Sequence, residues 1–149
     1  MSILFVNGSP NADGNTAALA KAMVGNQEYK TVMLTDYRIN VYGQELDGDQ
    51  FDKVLAEIKA ADTVIIGSPL YWHNICGSVR TLLDRFYGPV QQNELAGKKL
   101  AFVFQGAAPE KWMLEAGEYT MKRFAGLYGM SYIGMATNIK EAKTLSEKL

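Results

Sequence analysis

Short apolar runs alternate along this chain with segments in which apolar residues recur at helical spacing. Ile3–Val6 reads as a strand and is followed by Leu19, Ala20, Met23 and Val24 on one face of a helix opening at Thr16. Thr31–Leu34 is a second, weaker strand with one polar end. Phe51, Val54, Leu55 and Ile58 fall at i, i+3, i+4 and i+7, the spacing of a half-buried helix. Thr63-Val64-Ile65-Ile66 is nearly continuous in apolar character, as a parallel strand buried on both faces should be. Val79, Leu82, Leu83 and Phe86 predict the next helix, Leu100–Phe104 a fourth strand, and Leu114, Gly117, Met121, Phe124 and Tyr128 a long helix. Met130–Met135 is the last strand, and Lys140–Leu149 a short closing helix.

Such alternation predicts a parallel sheet with helices on both faces, an α/β three-layer sandwich. Right-handed crossovers leave few topologies for five strands. Strands 1, 3 and 4 look most buried and strand 2 looks like an edge, so the expected order is 2-1-3-4-5, the flavodoxin-like arrangement. No linker or repeat divides the sequence, and residues 1–149 are expected to form a single domain. Ligands in such sheets bind beyond the carboxyl ends of the strands at the switch point between strands 1 and 3. That directs attention to loops 7–16, 67–78 and 105–111, with the polar 36–50 connection as a further edge.

Composition narrows the classes. Hydrophobic residues make up 48% and charged residues 21%, the balance of a globular protein. A net charge of −1 with no basic stripe argues against nucleic acid as a partner. No apolar run reaches membrane-spanning length, and a first strand opening at residue 3 leaves no room for a signal peptide, so a cytoplasmic protein without a membrane partner is expected. The single cysteine, Cys76, excludes a disulfide framework.

The first loop, Asn7-Gly8-Ser9-Pro10-Asn11-Ala12-Asp13-Gly14-Asn15-Thr16, delivers a strand into a helix N-terminus. Unpaired N–H groups and the positive end of the helix dipole make this an anion site, to which Ser9, Asn11, Asn15 and Thr16 add neutral donors. Gly8 and Gly14 permit close approach, and Asn15 or Thr16 is also placed to cap the helix. With no Gly-Lys-Ser/Thr ending and no spaced dinucleotide glycines, one phosphate monoester fits best, as in a mononucleotide. In the second loop Pro69 and the flanking glycines suggest a turn. Tyr71 and Trp72 offer faces to a flat heterocycle, although Trp72 would serve equally at a subunit interface. His73 and Tyr71 are the candidate proton donors, with a ligand-contacting or surface role the alternative for His73. Cys76 reads as a small inert residue. Gln105-Gly106-Ala107 brings small residues and backbone donors to the third loop, or simply makes a tight turn.

Several rival chemistries fail on the residues. A phosphoacceptor receiver needs acidic strand ends, where this chain has Asn7-Gly8 and Gly67-Ser68. A cysteine phosphatase needs an arginine six residues after its cysteine, where Leu82 stands. A metal hydrolase needs clustered His, Asp and Glu, so no metal is expected.

Gly8-Ser9-Pro10, Gly14-Asn15-Thr16 and Gly67-Ser68-Pro69-Leu70-Tyr71-Trp72, followed by Leu82-Leu83-Asp84-Arg85-Phe86, resemble the flavodoxin-like NAD(P)H-dependent FMN reductases and quinone reductases. The resemblance implies FMN as cofactor, with phosphate on Ser9, Asn11, Gly14, Asn15 and Thr16. The ring would then lie against Pro69, Leu70, Tyr71, Trp72 and His73, bordered by Gln105, Gly106 and Ala107. It also implies NAD(P)H as co-substrate, with hydride passing via FMN to a quinone, azo compound or flavin, and a homodimer. The chain is short for the family, and its 36–50 segment lacks the cysteines that hold a cluster in the related iron–sulfur flavoproteins. The alternatives are a non-enzymatic flavodoxin-like electron carrier and an FMN-binding regulatory protein; a net charge of −1 is unlike the strongly acidic carriers.

Overall fold

The computed structural model describes all 149 residues. Strand β1 (Ile3–Asn7) leads to helix α1 (Asn15–Val24), strand β2 (Lys30–Met33) and, after a long connection, helix α2 (Phe51–Ala60). Strand β3 (Thr63–Tyr71) turns back into a two-residue strand β4 (Asn74–Ile75), which feeds helix α3 (Gly77–Asp84). Strand β5 (Lys99–Gln105), helix α4 (Lys111–Tyr128), strand β6 (Ser131–Ala136) and helix α5 (Ile139–Leu145) complete the chain.

The main sheet runs β2-β1-β3-β5-β6 and is parallel throughout, while β4 pairs antiparallel with the far end of β3. The expected order is therefore present, but with six strands rather than five. The extra one arises because β3 extends through Pro69 to Tyr71 instead of ending near Gly67. Pro69 lies two residues past the last β1–β3 pair, Asn7 with Gly67. Pro69 sits in the gap between that pair and the β4 pairs at Leu70 and Tyr71, the setting in which a sheet tolerates a missing N–H. The expected turn at Pro69 is thus displaced to Trp72 and His73.

Alternation along the strands divides the core between the two faces. Leu4, Val6, Val64, Ile66, Leu100 and Phe102 point to α2, α3 and α4, where Phe51, Leu82, Phe86 and Met121 are fully buried. Ile3, Phe5, Ile65, Ala101 and Val103 point to α1 and α5, meeting Leu19, Met23 and Ala142. Burial on both faces explains why the central strands read as unbroken apolar runs. No helix is long and apolar enough to cross a membrane.

Helix α4 lies so close to the sheet that a Cβ at Gly117 would overlap the Phe104 ring. Helix propensity alone would make Gly117→Ala stabilising by about 1 kcal/mol. Overpacking of a close-packed core costs about 1–3 kcal/mol, and a rigid aromatic ring yields little, so the steric effect should win. Urea unfolding is expected to show a net loss of up to about 2 kcal/mol; a gain would mean that α4 does not rest on Phe104.

Candidate functional site

The carboxyl ends of β1, β3 and β5 lie side by side, Asn7 opposite Gly67 and Pro69 opposite Gln105. Their approach depends on two absent side chains. A Cβ at Gly67 would come within 2.6 Å of the Phe5 ring and 2.7 Å of the Thr16 methyl. A Cβ at Gly8 would come within 2.8 Å of Cys76 Sγ, and the Gly8 N–H donates to the Gly67 carbonyl at 2.8 Å.

From this junction the first loop is shaped by Asn7, whose side chain is fully buried. Its carbonyl accepts the Ser9 N–H at 2.9 Å and its amide donates to the Asn11 carbonyl at 3.3 Å. The Ser9 hydroxyl accepts the Asn11 N–H at 3.1 Å. Gly14 occupies the N-cap of α1 with no side-chain capping bond. The expectation of a cap at Asn15 or Thr16 is therefore corrected: both lie inside the first turn, where Asn15 is exposed and Thr16 buried. Their N–H groups and that of Ala17 have no acceptor in the protein, the first α1-directed loop bond being Ala18 N–H to the Gly14 carbonyl. A capping side chain would have consumed one of these donors; glycine leaves them free.

The second and third loops face each other across a cavity of about 370 Å³ bordered by Leu70, Trp72, His73, Met113 and segment 106–110. That volume lies in the small-molecule range of about 300–1,000 Å³. Gln105 joins the two halves of the site, its amide donating to the Thr16 hydroxyl at 3.2 Å. Leu70, Trp72, His73, Gly106 and Ala107 thus come together around the cavity, and Ser9, Asn11, Gly14, Asn15 and Thr16 around the start of α1. Three expected residues fall outside the cavity lining: Pro69, buried within β3, Tyr71, which alternation turns to the face opposite Leu70, and Gln105, whose amide turns to Thr16 instead. A second groove of about 380 Å³, between α3 and α4 with Tyr87 and Tyr119 on its rim, is remote from the strand ends.

Sequence reasoning missed three polar groups that hold the loops. Besides Asn7, the Ser68 hydroxyl accepts the Cys76 N–H at 2.9 Å, tying α3 to β3. The Ser78 hydroxyl donates to the Gly8 carbonyl at 2.8 Å. A polar residue on a strand buried on both faces was the available signal for Ser68. The 36–50 connection is held by Arg85, which makes a two-pronged ion pair with Asp49 at 2.8 and 2.7 Å and donates to the Asn40 carbonyl at 2.9 Å. The Arg85 hydrogen bonds hold the Asp49 carboxyl down at about 2. The start of this connection, Tyr37 and Ile39, does border a small cleft beside Ser78.

Trp72 and His73 both have positive φ, 47° and 68°, at the two central positions of the β3–β4 hairpin. This is the sign pattern of a type I′ turn, which favours Asn-Gly. Trp72 is 94% exposed, so packing on the protein does not offset the strain. His73 meets Trp112 edge-on, with ring centroids 6.0 Å apart.

An open parallel α/β sheet with a nest of unpaired N–H groups beyond β1 and a cavity beside the carboxyl ends of β3 and β5 has the flavodoxin-like arrangement. The chain belongs to the NADPH-dependent FMN reductase family, whose family model matches residues 1–144. FMN is the cofactor that this membership assigns. An iron–sulfur flavoprotein of Archaeoglobus fulgidus is 33% identical over 98 residues, 57% of this chain and 48% of that protein. YwqN of Bacillus subtilis, named as an NAD(P)H-dependent FMN-containing oxidoreductase, is 27% identical over 94 residues, 58% of this chain and 52% of that protein. The chain spans about half the length of the curated relatives it matches. The solved Trp repressor binding protein of Bacillus subtilis has the same fold, with a TM-score of 0.78 over 97% of this chain and 98% of that one at 17% identity.

If the hairpin tip is strained, replacing Trp72 and His73 together by Asn and Gly should stabilise the protein. About 1 kcal/mol is expected after the loss of the His73–Trp112 contact, raising Tm by about 3 °C. An unchanged or lower Tm would show that the tip carries no strain.

Proposed function

We propose that this chain binds FMN across the two halves of the site and reduces a small flat acceptor at the expense of NAD(P)H. The observation that carries this reading is the Gln105–Thr16 hydrogen bond, which ties a cradle of unpaired N–H donors to the end of β5, one residue before the cavity wall begins at Gly106. The residues fit the group. Ser9, Asn11 and Thr16 with the N–H groups of residues 15–17 would hold one phosphate without a cation, as suits a ligand bound but not cleaved. Leu70, Trp72, His73, Gln105, Gly106 and Ala107 would border the ring.

When bound, FMN supplies the electron-transfer chemistry itself. The chain's residues orient and shield. Leu70 and Met113 exclude water from the cavity floor, and the small residues at 106–108 let backbone N–H groups approach a ring that gains negative charge on reduction. His73 at the cavity is the candidate group for delivering a proton to the acceptor, with Tyr71, on the other face of the β3 end, the weaker candidate. The exposed Trp72 suits a homodimer in which a partner covers the hairpin tip, and cytoplasmic residence fits a pyridine-nucleotide enzyme. The iron–sulfur cluster denoted by one relative's name is no part of this proposal, since Cys76 is the sole cysteine here and is buried.

Anaerobic addition of NADH or NADPH to the FMN-loaded protein tests the reading. Bleaching of the flavin absorbance within seconds is expected, and bound FMN that stays oxidised would overturn it. On the binding side, Ser9→Ala with Thr16→Ala removes two hydroxyl donors to a charged oxygen, each contributing about 1.5–3 kcal/mol. FMN affinity should fall at least about 100-fold while the circular dichroism spectrum is retained. Undiminished affinity would refute the phosphate assignment.

A further inference from the structure

The cavity between the hairpin tip and the start of α4 has an uneven charge. Of its lining residues only His73 and Glu110 are ionisable, and neither lysine nor arginine is among them. The walls are otherwise hydrocarbon, indole and small-residue backbone. Glu110 precedes the first residue of α4 and its Oε2 accepts the Trp112 indole N–H at 2.9 Å. That bond holds the carboxylate at the rim while leaving its charge in place, because indole is a neutral donor. The neighbouring Lys111 is paired elsewhere, with Glu115 at 3.4 Å, and no cation forms an ion pair with Glu110. Trp112 in turn meets His73 edge-on, so the carboxylate is braced by a ring that spans both sides of the opening.

We infer that this opening selects acceptors by charge, admitting uncharged or cationic flat rings and disfavouring those with a sulfonate or carboxylate on the ring itself, with Glu110 as the determining residue. The inference rests on the proposed function, since it concerns the acceptor of the same site. An anionic substituent leaving water for the rim would find no lysine or arginine to replace its hydration and would face a carboxylate that no ion pair neutralises. An uncharged quinone would lose nothing there, and a cationic dye would gain. In the reaction concerned, one quinone takes up two electrons and two protons from reduced FMN and solvent, giving the hydroquinone and oxidised FMN.

The test uses the FMN-loaded protein photoreduced under argon and mixed by stopped flow with menadione or with 1,4-naphthoquinone-2-sulfonate. The ratio of second-order rate constants, sulfonate over uncharged, is expected to rise about fivefold in Glu110→Gln, the effect of one partly screened charge. Glutamine keeps an acceptor for Trp112. The rise should vanish in 0.5 M salt and be absent from Glu115→Gln, whose charge sits away from the cavity. A ratio that Glu110→Gln leaves unchanged overturns the inference. Binding gives a readout independent of turnover, because the chain's two tryptophans, Trp72 and Trp112, both stand at this rim. Anthraquinone-2-sulfonate should quench their fluorescence at about fivefold lower concentration in Glu110→Gln than in the parent, and equal quenching counts against the proposal. Photoreduction bypasses NAD(P)H, so failure of the nicotinamide step and failure of charge selection are separately visible.

Discussion

Two missing side chains at the β1–β3 junction set the spacing on which the rest of the molecule depends. Methyl groups at Gly8 and Gly67 would collide with α3 on one side and with Phe5 and Thr16 on the other. Without them, α1 and α3 both start hard against the strand ends, and the Gly8 N–H reaches the Gly67 carbonyl. Close packing there turns the first turn of α1 into a fixed nest, because the backbone that carries the free N–H groups has nowhere to shift. Asn7, Ser68 and Ser78 then fasten the loops from below, each a buried or half-buried polar group with its bonds made inside the fold.

The fold was legible where burial dominates. Ile3–Val6, Thr63–Ile66 and Leu100–Phe104 announce central strands because both faces are covered, and the helix faces at 51–58 and 79–86 follow from their spacing. The first loop alone indicated a mononucleotide phosphate; the family was legible as a resemblance carried by the first two loops with Leu82–Phe86, and FMN as what that resemblance implies. Legibility failed where local rules are overridden by setting. Pro69 looks like a turn residue but stands in a strand whose neighbour has already ended. Trp72-His73 carries no turn signal, since its left-handed backbone is one that Asn or Gly adopts with ease. Asn15 and Thr16 resemble caps, yet Gly14 takes that position. The contribution of Glu110 was invisible because its meaning depends on which side chains across the opening lack a positive charge.

Strain and exposure coincide at the hairpin tip, and the combination has a physical logic. Left-handed backbone at two bulky residues and a bare indole both raise the free energy of the folded chain. They persist because the surroundings over-determine the tip: Tyr71 pairs with Asn74, Leu70 with Ile75, and Ser68 grips the N–H of Cys76. The result is a rigid arm that holds an aromatic face at the edge of the cavity. A flexible loop carrying the same residues would have to be ordered by each ligand in turn, at an entropic cost to affinity.

The connection between β2 and α2 stands apart from this rigidity. It is fastened to the body mainly through the forked grip of Arg85 on Asp49 and the Asn40 carbonyl, and otherwise bonds to itself, as Arg38 does with Gln50 and Asn40 with Leu46. A segment whose side-chain hydrogen bonds to the body all come from Arg85, with Tyr37, Ile39 and Tyr42 adding only packing contacts, can be lengthened, shortened or exchanged without breaking a strand pair. In evolutionary terms it is a socket: descendants of this fold could plug a new loop into it and alter the outer border of the site while the nest and the sheet beneath stay as they are.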